Sequence, residues 1–149
     1  MRLVRLVYAS TFAEGGTTRE VQDIVARAAA RNRDRHLTGL LFFGSGKFLQ
    51  VLEGGSTAVN KLYAALQQDA RHRELHLISY QAIEQREFEG WGMAHATLDQ
   101  VLGSRVGRET VLRYTTGYLD PYTLSPVAAL SFLREVRDHV VNAERLATA

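Results

Sequence analysis

Apolar positions along this chain change their period several times, and each change marks an element. Residues 3–9 are rich in Leu and Val and read as a strand. Val4, Leu6 and Tyr8 fall on one face of it, and Leu3, Arg5 and Val7 on the other. Gly15-Gly16 ends the loop that follows. Thr17 and Glu20 have capping-box spacing. Val21, Ile24, Val25 and Ala28 then recur at i, i+3, i+4 and i+7, which predicts a helix running to about Arg33. Asn32 lies one turn beyond Ala28, at the edge of that stripe. Residues 38–54, TGLLFFGSGKFLQVLEG, return to strand residues on both sides of a Gly-Ser-Gly turn, the signature of a β-hairpin with arms at 37–43 and 48–53. Ser56 is a plausible N-cap for a second helix at about 57–69, whose stripe is Val59, Leu62, Tyr63 and Leu66. Residues 75–83 read as a strand, 88–91 as a turn and 92–98 as a short fifth strand.

The order β-α-β-β-α-β-β is that of an α+β, ferredoxin-like sheet with both helices on one face. Residues 100–118 look weakly helical, with Gly103, Gly107 and Gly117 interrupting. Ser125-Pro126 is an N-cap followed by Pro at the first helical position. Leu130, Leu133, Val136, Val140 and Val141 then form a long amphipathic stripe. A ferredoxin-like sheet leaves one face uncovered, where Leu3, Val7, Leu49 and Val51 would lie, and the C-terminal helices are expected to pack there or to form an oligomer seam. The division is therefore read as residues 1–97 and a helical extension, 98–149.

Composition narrows the chemistry. The chain has no cysteine, which excludes disulfides, iron–sulfur clusters and thiolate catalysis. His72 and His76 are spaced i,i+4, but at a loop entering a strand, so no metal site is read there. A net charge of +2 does not argue for nucleic acid. No apolar run approaches the ~18–20 residues of a membrane span. The N-terminal apolar runs are too interrupted by Arg for a signal peptide, so a cytoplasmic protein is expected.

Gln50 is out of place on a core strand, because an unpaired buried amide costs about 1–3 kcal/mol. In the ferredoxin-like order the first and third strands are neighbours, so Tyr8 and Gln50 can lie side by side beneath the helices. Asn32 points into the same crevice, and Arg71 and His72 sit at its mouth, where they could hold an anion. No paired-carboxylate or nucleophile–base constellation is present, so no enzyme is read.

LVYAS at the first strand, Asn32, TGLLFFGSGKFLQVLEG, the D-x-R-H of Asp69 to His72, and Trp91-Gly92-Met93 occur in one order over about residues 3–97. Together they resemble the BLUF domain, a sensor of blue light using FAD. The resemblance implies a flavin between the two helices: FAD, with FMN or riboflavin as alternatives. By family role, Asn32 would bond the pyrimidine side of the ring and Gln50 would sit between flavin and Tyr8. Ile24, Phe48 and Leu66 would sandwich or edge the ring. Asp69 would stand near the ribityl end, and Arg71 and His72 near the phosphates. Arg31 stands where relatives often carry Asn or His, and Ala70 where the motif has Pro.

Tyr8 and Gln50 would be the photochemical pair: a phenol is easily oxidised once its proton has somewhere to go, and an amide can accept at one end and donate at the other. Trp91 and Met93, two residues apart, are expected on one face, either of them beside Gln50. Self-association and an unidentified downstream protein partner are expected. The alternative is a ferredoxin-like nucleic-acid-binding module, but its stacking aromatics belong on the open face, where Leu49 and Val51 stand.

Overall fold

The structure, a computed structural model, describes residues 2–13, 17–114 and 119–148. Gly15-Gly16 and Gly117 lie outside them. The strands are β1 (Leu3–Phe12), β2 (Thr38–Gly44), β3 (Lys47–Gly55), β4 (His72–Ala82) and β5 (Ala94–Thr97). Two helices interleave with them, α1 (Thr18–Asp34) and α2 (Ser56–Gln67). The sheet order is β4-β1-β3-β2-β5, which is ferredoxin-like with β5 added beside β2. All pairs are antiparallel except β2–β5. Ser45 and Gly46 both take positive φ, 53° and 74°, the two-residue turn that suits the twist of the β2–β3 hairpin.

Local chemistry sets most of the helix ends. Thr17 Oγ1 accepts the Glu20 N–H at 3.2 Å, but the Glu20 carboxylate does not close the box. Ser56 is the first residue of α2 rather than its cap; Gly55 holds the cap position with no side-chain bond. β1 runs three residues past the expected end, through Ser10, Thr11 and Phe12, because β3 and β4 both continue its ladder. β5 begins at Ala94, two residues late, and Thr97 with Gln100 forms a complete capping box that starts α3 (Leu98–Leu102).

Each face of the sheet carries its own core. On one, Val4, Leu6 and Tyr8 pack with Val21, Ile24, Val25, Val59 and Leu62 of α1 and α2. On the other, Val7, Leu49 and Val51 are covered by Phe132, Leu133 and Val136 of α5 (Pro126–Thr148), with α3 and α4 (Arg105–Tyr114) at the side. Ser125 Oγ accepts the Ala128 N–H, capping α5 as its Ser-Pro start predicts. That second face is thus closed, which leaves Leu49 and Val51 no exposure to stack a nucleic-acid base. Among the described residues no helix is long and apolar enough to cross a membrane.

Candidate functional site

Between α1 and α2 lies a narrow crevice that opens to solvent. Its floor is β3 and β2, and its walls are the apolar stripes of the two helices. Ile24 and Leu66 line it, as do Val25, Ala28, Leu41 and Leu62, which the sequence pattern shows only as core.

Tyr8 and Gln50 are direct partners in the antiparallel β1–β3 register. The Tyr8 hydroxyl donates to Gln50 Oε1. The other end of the amide, Nε2, donates to Met93 Sδ at 3.3 Å. Gln50 lines the crevice, whereas Tyr8 is fully buried behind it. Burial, and secondarily Tyr63, pushes the Tyr8 phenol far above its ordinary pKa. The Tyr63 ring meets Tyr8 edge-on at 5.5 Å. A phenol so placed is held in its protonated form and serves here as a hydrogen-bond donor.

Asn32 sits in the last turn of α1 and is completely buried. Its Nδ2 donates to the Gly92 carbonyl at 2.8 Å. Its Oδ1 is the buried side-chain polar atom that lacks a partner among the described residues. Such an acceptor normally costs about 1–3 kcal/mol. Asn32 lines the crevice, so a ligand N–H there would satisfy it. A flavin ring carries such an N–H between two carbonyls on its pyrimidine edge, and the residues fit it.

At the mouth the charge is positive. Arg27, Arg31 and Arg71 line it with one carboxylate, Asp69. Arg71 engages that carboxylate through Nε and Nη2, the shortest bond being 2.6 Å. The bond from Arg71 is the main reason the Asp69 carboxyl is held down at about 2. Arg31 is destabilised as a cation by burial and by the nearby Arg35 and Arg71. An anion at this mouth would relieve that repulsion. The i,i+4 step from Arg27 to Arg31 was the available signal for the extra guanidinium. His72 is buried beneath, its Nδ1 3.1 Å from Ser10 Oγ, and burial lowers its pKa.

Two expected residues stand elsewhere. Phe48 is fully buried and stacks behind His72, with ring centroids 4.9 Å apart, rather than lining the crevice. Trp91 and Met93 do not share a face. Residues 91–93 are not strand, because the chain turns at Gly90 (φ +94°) and regular pairing starts only at Ala94. Met93 therefore enters the core under α1 and α2, and Trp91 packs on the opposite core, its indole N–H donating to Glu144 of α5 at 3.1 Å. β5 also flanks β2 and not β3, so Met93 reaches Gln50 across β2.

The chain matches the family model for BLUF, described as sensors of blue-light using FAD, over residues 3–94. Photoactivated adenylate cyclase subunit alpha of Euglena gracilis is 32% identical over 146 residues, covering 85% of this chain and 14% of that protein. The chain thus spans about a seventh of that relative's length. Among solved structures, the BlsA photo-activated state superposes with a TM-score of 0.80 at 25% identity, covering 91% of this chain and 94% of that one. Klebsiella pneumoniae BlrP1 with FMN and cyclic diGMP gives a TM-score of 0.62 at 31% identity, covering 76% of this chain and 30% of that one.

Proposed function

This chain belongs to the BLUF family, and from that premise we propose that it is a blue-light photoreceptor whose switch is a proton-coupled electron transfer from Tyr8, relayed by Gln50. The observation that carries the reading is the continuous line from the Tyr8 hydroxyl to Gln50 Oε1, and from Gln50 Nε2 to Met93 Sδ. When bound and excited by blue light, the flavin supplies a strong one-electron acceptor beside this line.

Tyr8 then has a route for its proton, to the Gln50 oxygen with which it already shares a hydrogen bond. Gln50, protonated at Oε1, would pass one of its two Nε2 protons to the bound flavin that has taken the electron, and so reach its imidic tautomer, or turn end for end. The turn removes the donor from Met93, whereas the tautomer alone leaves one N–H on Nε2. A thioether sulfur accepts weakly and donates nothing, so a turned amide finds no partner there and Met93 is released. The apolar walls, Ile24 and Leu66 among them, keep water from the pair.

Asn32 Oδ1 would accept from the pyrimidine edge of the ring, and Arg27, Arg31 and Arg71 would face the chain beyond it. The guanidinium excess at the mouth favours a flavin nucleotide over riboflavin. FAD is the nucleotide in the family description, and a relative in complex with FMN supports the broader class. Residues 1–97 form the flavin-binding part of this proposal and 98–149 the output element. It also includes self-association, a downstream protein partner and a cytoplasmic setting, all read from the sequence.

The test is the absorption difference spectrum of purified protein before and after blue light. A yellow protein whose flavin band shifts reversibly to the red is expected. A protein that retains no flavin, or a bound flavin that does not shift, overturns the proposal.

A further inference from the structure

We propose that Glu53 is a positioning residue for the switch: its buried carboxylate fixes the β4–β5 connection so that Met93 meets the Gln50 amide. The inference rests on the photoreceptor reading above.

Glu53 lies three residues after Gln50 on β3 and so faces the opposite side of the sheet. It is completely buried. An isolated buried carboxylate is costly, and this one is satisfied on both oxygens. Arg5 Nε donates to Oε2 at 2.9 Å. The Phe88 N–H donates to Oε1 at 2.7 Å, and the Glu87 N–H reaches both oxygens at 3.0 and 3.2 Å. The connection is therefore held by its backbone, and Phe88 beside it is fully buried.

The other end of this span is pinned from the crevice side. Gly92 presents its carbonyl to Asn32, and a Cβ there would stand 2.4 Å from the Ala29 oxygen, so glycine is needed for this approach to α1. Met93 follows directly. Its place is thus set by two buried polar side chains, one on each face of the sheet. Arg134 of α5 also grips this connection, through the Glu87 carboxylate at 2.7 Å, but at a partly exposed contact that ties the helix to the loop.

Chemistry makes Glu53→Gln diagnostic. A carboxylate accepts on two oxygens, whereas an amide accepts on one. The variant cannot serve both Arg5 and the loop N–H groups, and it leaves Arg5 without a countercharge on Glu53. Glu53→Gln combined with Arg5→Met removes that conflict and returns the single acceptor to the loop.

Two readouts are needed: dark-state hydrogen exchange of the amides of residues 87–93, and the rate of dark recovery after blue light. Glu53→Gln is expected to speed exchange there and to change the recovery rate by about threefold or more, the scale of coupled contacts. The double variant is expected to move both back toward the parent, and Arg134→Gln to leave recovery unchanged. Faster exchange in residues 87–93 with parental recovery would make Glu53 structural only and overturn the inference. So would recovery altered equally by Glu53→Gln and by the double variant. Should Glu53→Gln not fold, Glu53→Leu with Arg5→Met, which leaves the loop N–H groups no acceptor at this position, is compared with Glu53→Gln with Arg5→Met, and equal recovery in those two overturns it. A parent that does not photoconvert sinks the photoreceptor reading itself, and parental exchange in Glu53→Gln sinks the positioning claim whatever the photochemistry.

Discussion

Removing the Asn32 amide should matter far more in the flavin-bound than in the flavin-free protein. In the free protein, Asn32→Ala deletes one good bond, Nδ2 to the Gly92 oxygen at 2.8 Å, and strands that carbonyl. It also deletes the buried, unpartnered Oδ1. The loss and the relief are each about 1–3 kcal/mol, so they offset to within about 2 kcal/mol in the free protein. In the bound protein Oδ1 is no longer an orphan, and its removal leaves a buried ring N–H unpaired. That costs about 1–3 kcal/mol of binding, or a roughly 5- to 150-fold rise in Kd. The assay is a pair of measurements: thermal unfolding of flavin-free parent and variant, and flavin titration by fluorescence quenching. Because a ligand stabilises only in proportion to its binding, the gap between free and loaded melting temperatures should narrow in the variant. A variant that loses several kcal/mol when free yet binds flavin like the parent would refute the reasoning, since Asn32 would then serve only the loop.

Three further outcomes follow from the same geometry. Tyr8→Phe and Gln50→Ala should each keep the yellow colour and lose the reversible red shift, the first for want of the phenol's proton and electron, the second for want of a relay; either variant cycling like the parent counts against the relay. Met93→Ala should retain most of the shift but lose the light-dependent change in hydrogen exchange over residues 125–145, and parental exchange there would mean the signal takes another route. The Asp69 carboxyl is held at about 2 by Arg71, below its ordinary 3.8. Its ion pair therefore contributes above about pH 4 and is lost as pH falls toward 2. The pair is partly exposed, so that contribution should be small, and Asp69→Asn should flatten this part of the acid-stability profile.

Strand faces and helical stripes were legible because they rest on periodicity alone. The pairing of Tyr8 with Gln50 is legible in the sequence too, since the ferredoxin-like order makes β1 and β3 neighbours and the register follows from which faces are apolar. The mouth cations were only partly legible, because Arg27 reads as an ordinary solvent-facing residue until α2 supplies the opposite wall. Trp91 and Met93 part to opposite faces because side chains alternate regularly only within a strand, and β5 starts at Ala94. The same register pairs Arg5 with Glu53, 48 positions away, but their burial was not legible, because the β4–β5 connection and α5 that close the second face come much later in the chain. Phe48 stands behind His72 because β1 extends to Phe12 and fills the space beside it, the Phe12 and Phe48 rings lying 5.3 Å apart.

The length of α5 has a mechanical consequence. Arg134 and Arg137 clamp the helix to the β4–β5 connection, while residues 142–147 are all exposed. The helix is thus a beam held near its middle, with a lighter tether where the Trp91 indole N–H meets Glu144, and its last residues in solvent. At a rise of ~1.5 Å per residue, residue 147 lies about 20 Å beyond Arg134. A tilt of about 5° at the clamp would sweep that end through about 1.7 Å on this arm. A displacement of a side chain at the sheet, too small to break any packing there, arrives at the tip enlarged, and whatever touches the tip would read the angle of the beam rather than the chemistry that set it.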